Sequence, residues 1–73
     1  MVQEIDVRGL SCPQPVLLTK KVIDAGETEI IVTADDTVAR DNVRRLAESS
    51  GYTVEIEEKD GDFVLIAVKK HRR

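Results

Sequence analysis

Cysteine occurs once, histidine once and tryptophan not at all in a chain of 73 residues, and each scarcity excludes a class of protein. A lone cysteine forms no intrachain disulfide and runs no dithiol redox cycle within the chain. A structural metal is not expected, because the only histidine, His71, stands at the opposite end of the sequence from Cys12. The same separation leaves Cys12 without the partner of a Cys–His nucleophilic dyad. No cofactor is expected either. No run approaches the ~20 apolar residues of a membrane span, and the opening residues, with Glu4 and Asp6 among them, do not resemble a signal peptide. A free thiol without a targeting segment points to a reducing, cytoplasmic setting.

Basic charge is also in short supply. Eleven Lys plus Arg face 14 Asp plus Glu, for a net charge of −3. Direct nucleic-acid binding by phosphate neutralisation needs a basic face, so it is not expected. The basic residues that do cluster are Lys69, Lys70, Arg72 and Arg73, at the end of the sequence. They read as a solvated tail, with a docking role as the alternative.

The length suits one domain spanning residues 1–73. With Tyr52 and Phe63 the only aromatics, its thin core must be built from aliphatic side chains. Val2–Val7 alternates, with Ile5 and Val7 on one side and Glu4 and Asp6 on the other, which is the period of a half-buried strand. Pro13–Ala25 turns helical, with Leu18, Val22 and Ala25 expected on the core face and Gly26 ending the helix. Glu29–Ala34 is rich in β-branched residues and reads as a well-covered central strand. Asp35, Asp36 and Thr37 supply capping side chains for a second helix, from about Val38 to Ser50. That helix turns Ala39, Val43, Leu46 and Ala47 to one side and is closed by Gly51. Tyr52–Glu58 and Phe63–Lys69 are two further strands around Asp60-Gly61, a strong hairpin signal.

The order β-α-β-α-β-β predicts an α/β (α+β) two-layer sandwich: a mixed four-stranded sheet with both helices on one face. Two registers compete for the last hairpin. A two-residue turn pairs Ile56 with Leu65 and Val54 with Ala67, and is favoured. A three-residue turn through Lys59 would bring Val64, Ile66 and Val68 inward instead. Either register leaves an apolar trio facing outward beside Thr53, Glu55 and Glu57, as a partly shielded face or as a contact surface for a partner. A monomer is expected, with weak self-association through that face as the alternative.

The chemistry concentrates in Leu10-Ser11-Cys12-Pro13-Gln14-Pro15. Proline is tolerated in the first turn of a helix, where its missing N–H is no loss. Two alternate prolines therefore mark a helix start, with Cys12 at or near the N-cap. The first-turn N–H groups of Gln14 and Val16 lack helical partners, and the positive end of the helix favours thiolate over thiol. The same groups suit a persulfide anion. A lone cysteine in a small domain is most often buried and inert, but proline directly after it at a helix start makes the reactive reading the stronger.

The run Asp6-Val7-Arg8-Gly9-Leu10-Ser11-Cys12-Pro13-Gln14-Pro15 resembles the signature of the TusA/SirA family of small sulfur-carrier proteins, D-x-x-G-L-x-C-P-x-P. The likeness extends through Gly26, Asp35-Asp36 and the Asp60-Gly61 hairpin. Within the family it is closest to the YedF-like branch, some of whose members are linked to selenium metabolism. That finer likeness rests on Thr19-Lys20-Lys21 and on Ala47 to Tyr52. The resemblance implies the same two-layer sandwich. It also implies that Cys12 accepts sulfane sulfur from a cysteine desulfurase and relays it, as a persulfide, to a downstream acceptor protein. Pathways served in the family include tRNA thiolation, cofactor assembly and sulfur oxidation. Such a protein is a sulfurtransferase-type relay rather than a stand-alone turnover enzyme. Some relatives carry a second cysteine later in the chain, and here Cys12 is the only one.

Around Cys12, Gly9 permits a tight turn or a close backbone approach. Arg8 either adds positive potential near the sulfur, meets an acidic partner or is merely solvated. Gln14 either hydrogen-bonds an incoming group or is a plain surface residue. Arg40, Arg44 and Arg45 either form a docking edge or pair with Asp36, Asp41 and Glu48. Two other function classes stay open: a protein-interaction or regulatory module in which Cys12 is incidental, and a selenium-handling relative.

Overall fold

A computed structural model describes residues 2–10 and 14–70. Its elements are β1 (Val2–Asp6), α1 (Gln14–Asp24), β2 (Glu29–Ala34), α2 (Thr37–Ser49), β3 (Tyr52–Lys59) and β4 (Asp62–Lys69). They form one four-stranded sheet in the order β1-β2-β4-β3. β1 pairs with β2 in parallel, while β4 runs antiparallel to both β2 and β3. The last strand thus slots between the second and third, and the sheet is mixed, as the element order predicts.

One cluster forms the core. Ile30, Val32 and Ala34 of β2, Leu65 and Ala67 of β4 and Tyr52 of β3 meet Ala39, Val43 and Ala47 of α2, all buried. Val7, just after β1, joins them, and Ile5, Leu10, Val22, Ile23, Val54 and Phe63 pack around the edge. Both helices therefore lie on one face of the sheet. Tyr52 is the largest fully buried side chain, and its hydroxyl donates to the Glu27 carbonyl in the connection before β2.

The hairpin takes the two-residue turn. Ile56 pairs with Leu65 and Val54 with Ala67, and Asp60 and Gly61 both adopt left-handed backbone, at φ 52° and 83°. Two left-handed residues in succession make the type I′ turn whose twist matches that of paired strands. Phe63 accordingly lies on the core side, while Val64, Ile66 and Val68 face away from the helices.

Two expectations need correction. α1 does not bury Leu18 and Ala25. Its buried residues are Pro15 and Thr19, with Val22 and Ile23 partly buried, while Leu18 is 37% and Leu17 54% exposed. The helix is rotated relative to the expected stripe, and Thr19 is accommodated because its hydroxyl donates to the Pro15 carbonyl at 2.9 Å. β2 is central but covered on one face only: Ile31 and Thr33 are half-buried on the side without helices.

Candidate functional site

The parallel strands β1 and β2 end side by side, and the chain leaves each of them towards the start of a helix. Val7 continues the pairing by donating to the Thr33 carbonyl at 2.9 Å. The chain then turns, Leu10 donating back to the Val7 carbonyl at 3.3 Å. Gly9 in this turn has φ +76°, with open space where a side chain would begin. Its role is backbone conformation, not close approach. Its N–H donates to the Asp35 carboxylate at 3.2 Å, which joins this turn to the one before α2.

Arg8 is fully engaged. Its Nε and Nη2 donate to the two carboxylate oxygens of Asp6 at 3.0 and 2.9 Å, and its Nη1 reaches Asp62 at 3.1 Å. The backbone N–H of Arg8 also donates to Asp6, at 3.0 Å. Hydrogen bonding by the Arg8 guanidinium is the main reason the Asp6 carboxyl is lowered to about 2 from its ordinary 3.8, and the Arg8 guanidinium is raised in turn. Two carboxylates thus more than offset the charge of Arg8, which ties the β1 turn to the start of β4.

Cys12 and Pro13, the centre of the expected site, lie outside the described residues. Gln14 opens α1 and is exposed, and Pro15 beside it is buried. The first turn of α1 carries no acidic residue to offset its positive end. α2 starts at the same end of the molecule, capped by Asp36, whose carboxylate accepts from the Ala39 N–H at 3.2 Å. A narrow cleft between the two helix starts is lined by Leu10, Pro15, Val16, Asp36, Val38, Ala39 and Asn42, and a shallower apolar depression by Leu10, Gln14, Leu17 and Leu18. Leu17, Leu18 and Val38, at 57% exposure for the last, leave this end apolar and open. The adjacent leucines were the available signal: a helix cannot turn two neighbouring residues equally into its core.

Three further arginines lie along α2. Arg40 pairs with Asp41 at 2.9 Å and lies 4.7 Å from the Phe63 ring centre. Arg44 reaches Glu48 at 3.5 Å. Asp36 caps the helix instead of pairing with an arginine, and Arg45 is exposed with no ion pair among the described residues. His71, Arg72 and Arg73 lie outside the described residues. Among those described, no helix is long and apolar enough to cross a membrane.

The sequence profile of the family described as "Sulfurtransferase TusA" matches residues 3–70. A candidate sulfur carrier protein of Methanocaldococcus jannaschii is 40% identical over 72 residues, which cover 94% of this chain and 95% of that protein. A candidate sulfur carrier protein of Halobacterium salinarum is 33% identical over 66 residues, covering 88% and 82%. Another, YrkI of Bacillus subtilis, is 29% identical over 68 residues, covering 90% and 91%. The crystal structure of the SirA-like protein from Desulfitobacterium hafniense superposes with a TM-score of 0.80 at 36% identity, covering 93% of this chain and 96% of that one. With a profile match over nearly all of its length and relatives matched almost end to end, this chain belongs to the TusA/SirA family.

Proposed function

We propose that this chain is a sulfur carrier whose Cys12 holds the cargo as a persulfide, presented at the start of α1 to a donor and then to an acceptor. The observation that carries this reading is that Cys12-Pro13-Gln14-Pro15, the family's motif, runs into the start of α1, whose first two residues are Gln14 and Pro15. A chain extends at most about 3.6 Å per residue, so Cys12 is tethered within about 7 Å of the Gln14 backbone. Two residues from Leu10 and two from Gln14, it belongs to the end of the fold where both helices begin.

Loading and delivery are the same exchange run between different partners. The Cys12 thiolate attacks the terminal sulfur of a donor persulfide. A new S–S bond forms as the donor's S–S bond breaks, and the donor cysteine leaves as a thiolate. Delivery repeats the step, with an acceptor thiolate attacking the terminal sulfur on Cys12. Electrons balance without an oxidant or reductant, because the moving sulfur keeps its oxidation level. The positive end of α1 favours the thiolate before loading and the persulfide anion after it. Leu10, Leu17, Leu18 and Val38 give each partner an apolar landing around the start of α1. Gln14, exposed in the first turn, is the side chain available to hydrogen-bond the incoming group.

Partners follow from membership of the family. Its pattern supplies a cysteine desulfurase as donor and another protein thiol as acceptor, in the cytoplasm, with the chain acting as a relay rather than as a stand-alone turnover enzyme. Within the family we place it nearest the YedF-like branch, on Thr19-Lys20-Lys21 and Ala47 to Tyr52. The test is transfer of label. Protein incubated with a cysteine desulfurase and ³⁵S-labelled cysteine should gain reductant-labile label and release it to an added acceptor thiol. Label that survives reductant, or that loads equally on Cys12→Ser, contradicts the proposal.

A further inference from the structure

The face of the sheet turned away from both helices is ordered in its chemistry, and the carrier reading does not use it. Cross-strand pairing sets three rows there: Val2, Glu29, Val68, Thr53; then Glu4, Ile31, Ile66, Glu55; then Asp6, Thr33, Val64, Glu57. The two middle strands carry an apolar strip of Ile31, Val64, Ile66 and Val68. Glu4 on β1 and Glu29 at the first position of β2 border it on one side, and Glu55 and Glu57 of β3 on the other. A sheet face made for water alternates apolar-in and polar-out along each strand. On β4 the alternation fails, since every outward residue from Val64 to Val68 is apolar and the charges are confined to the rims.

At one end of this face Asp6 and Asp62 share the single guanidinium of Arg8, and Lys59 stands opposite Asp62 on β3. Glu4, Glu29, Glu55 and Glu57 enter no ion pair among the described residues. Charge therefore decides what can cover the strip. A second copy docked face to face would set four glutamates against four glutamates, and like charges directly opposed are destabilising. An anionic bilayer or a nucleic acid meets the same repulsion. A protein surface with an apolar ridge between Lys or Arg side chains meets both the strip and its rims.

Strand spacing and rise give the face an area of roughly 350 Å² in projection. A stable interface buries about 800 Å² per partner, so a contact confined to this face is transient.

We propose that the open face of the sheet is a docking surface for a protein partner presenting an apolar ridge flanked by basic side chains. It lies on the opposite side of the sheet from the helices, and its test is independent of whether Cys12 carries sulfur.

The test uses two synthetic amphipathic helical peptides with the same leucine ridge, flanked by lysine in one and by glutamate in the other. Amide shifts of isotope-labelled protein are followed as each is added. The lysine peptide should move the amides of β2 and β4, with the effect fading as salt rises, and the glutamate peptide should not. The double variant Glu55→Lys/Glu57→Lys leaves two lysines against two glutamates and should abolish that preference. Glu4→Lys/Glu29→Lys should do the same from the other rim, should the first pair disturb the fold. Equal response to both peptides, shifts centred on α1 and α2, or no shifts would overturn the proposal. Concentration-dependent shifts at Ile31 and Ile66 without peptide would assign the face to a second copy and overturn it as well.

Discussion

Arg8 is the residue whose setting most changes how the neighbourhood of Cys12 is understood. An arginine four residues before a reactive cysteine suggests a source of positive potential, yet its guanidinium is held by Asp6 and Asp62. Its work is to fasten the turn after β1. The pH dependence follows from the sign of the shift. The Asp6 carboxyl is lowered from 3.8 to about 2, so its contribution to stability is present above 3.8 and is lost as pH falls through about 2. An NMR titration should place the Asp6 midpoint near 2, and Arg8→Gln should return it towards 3.8 while leaving sulfur loading largely unchanged. Half of this arrangement is legible in the sequence, because Asp6 and Arg8 are two apart where an extended chain leaves β1. The other half is not, because Asp62 arrives from 54 residues away and only the strand order brings it near.

Thr19 carries a similar lesson. Periodicity identifies an amphipathic helix but fixes the rotation of its stripe only loosely, and a hydroxyl that bonds its own helix passes as core. Leu18→Lys is expected to change stability by no more than about 1 kcal/mol, whereas Thr19→Lys buries an unpaired charge and should cost several kcal/mol or prevent folding. Urea denaturation of the two variants decides the matter, and equal costs would contradict the observed rotation.

Among the elements, the β3–β4 hairpin is the best specified by local sequence. Asp60-Gly61 demands left-handed backbone at two successive positions, and that demand sets the register which turns Leu65 and Ala67 inward. Gly61→Ala forces a Cβ into left-handed backbone and should cost about 1 kcal/mol, while Asp60→Asn should be close to neutral. Thermal or urea melts would show this, and a neutral Gly61→Ala would argue against the turn. α2 is legible for an equally local reason: Asp36 caps it, with φ −142° and ψ 138° at the cap. Asp36→Ala should cost about 1 kcal/mol through the loss of that cap. α1 is less legible at its beginning, since prolines announce a helix start without saying which side chain will turn inward.

For the molecule as a whole, the order of elements read from the sequence yields the two-layer sandwich, the mixed sheet and the shared helical face. The strand order β1-β2-β4-β3 was not readable, because a hairpin can join a sheet by either of its strands. The observed choice places Leu65 between Val32 and Ile56, in the middle of a core with few large side chains. Leu65→Ala should therefore cost about 2–5 kcal/mol, a large share of the roughly 5–15 kcal/mol that holds a typical domain folded. The described residues leave two surfaces without cover: the apolar end where both helices begin, and the acid-rimmed strip on the far side of the sheet. The motif at the start of α1 marks the first through its residue types. The second depends on side chains from four strands being set in rows, which becomes visible only with the pairing in hand. Whether Cys12 carries sulfur at the first surface is decided by intact-mass spectrometry. Wild-type protein and Cys12→Ser are incubated with a cysteine desulfurase and cysteine, and reductant is then added. The wild type should gain one sulfur atom, mapped to the peptide containing Cys12, reversed by reductant and absent from Cys12→Ser. A wild-type thiol that alkylates readily yet gains no sulfur from any of several desulfurases would contradict the carrier proposal.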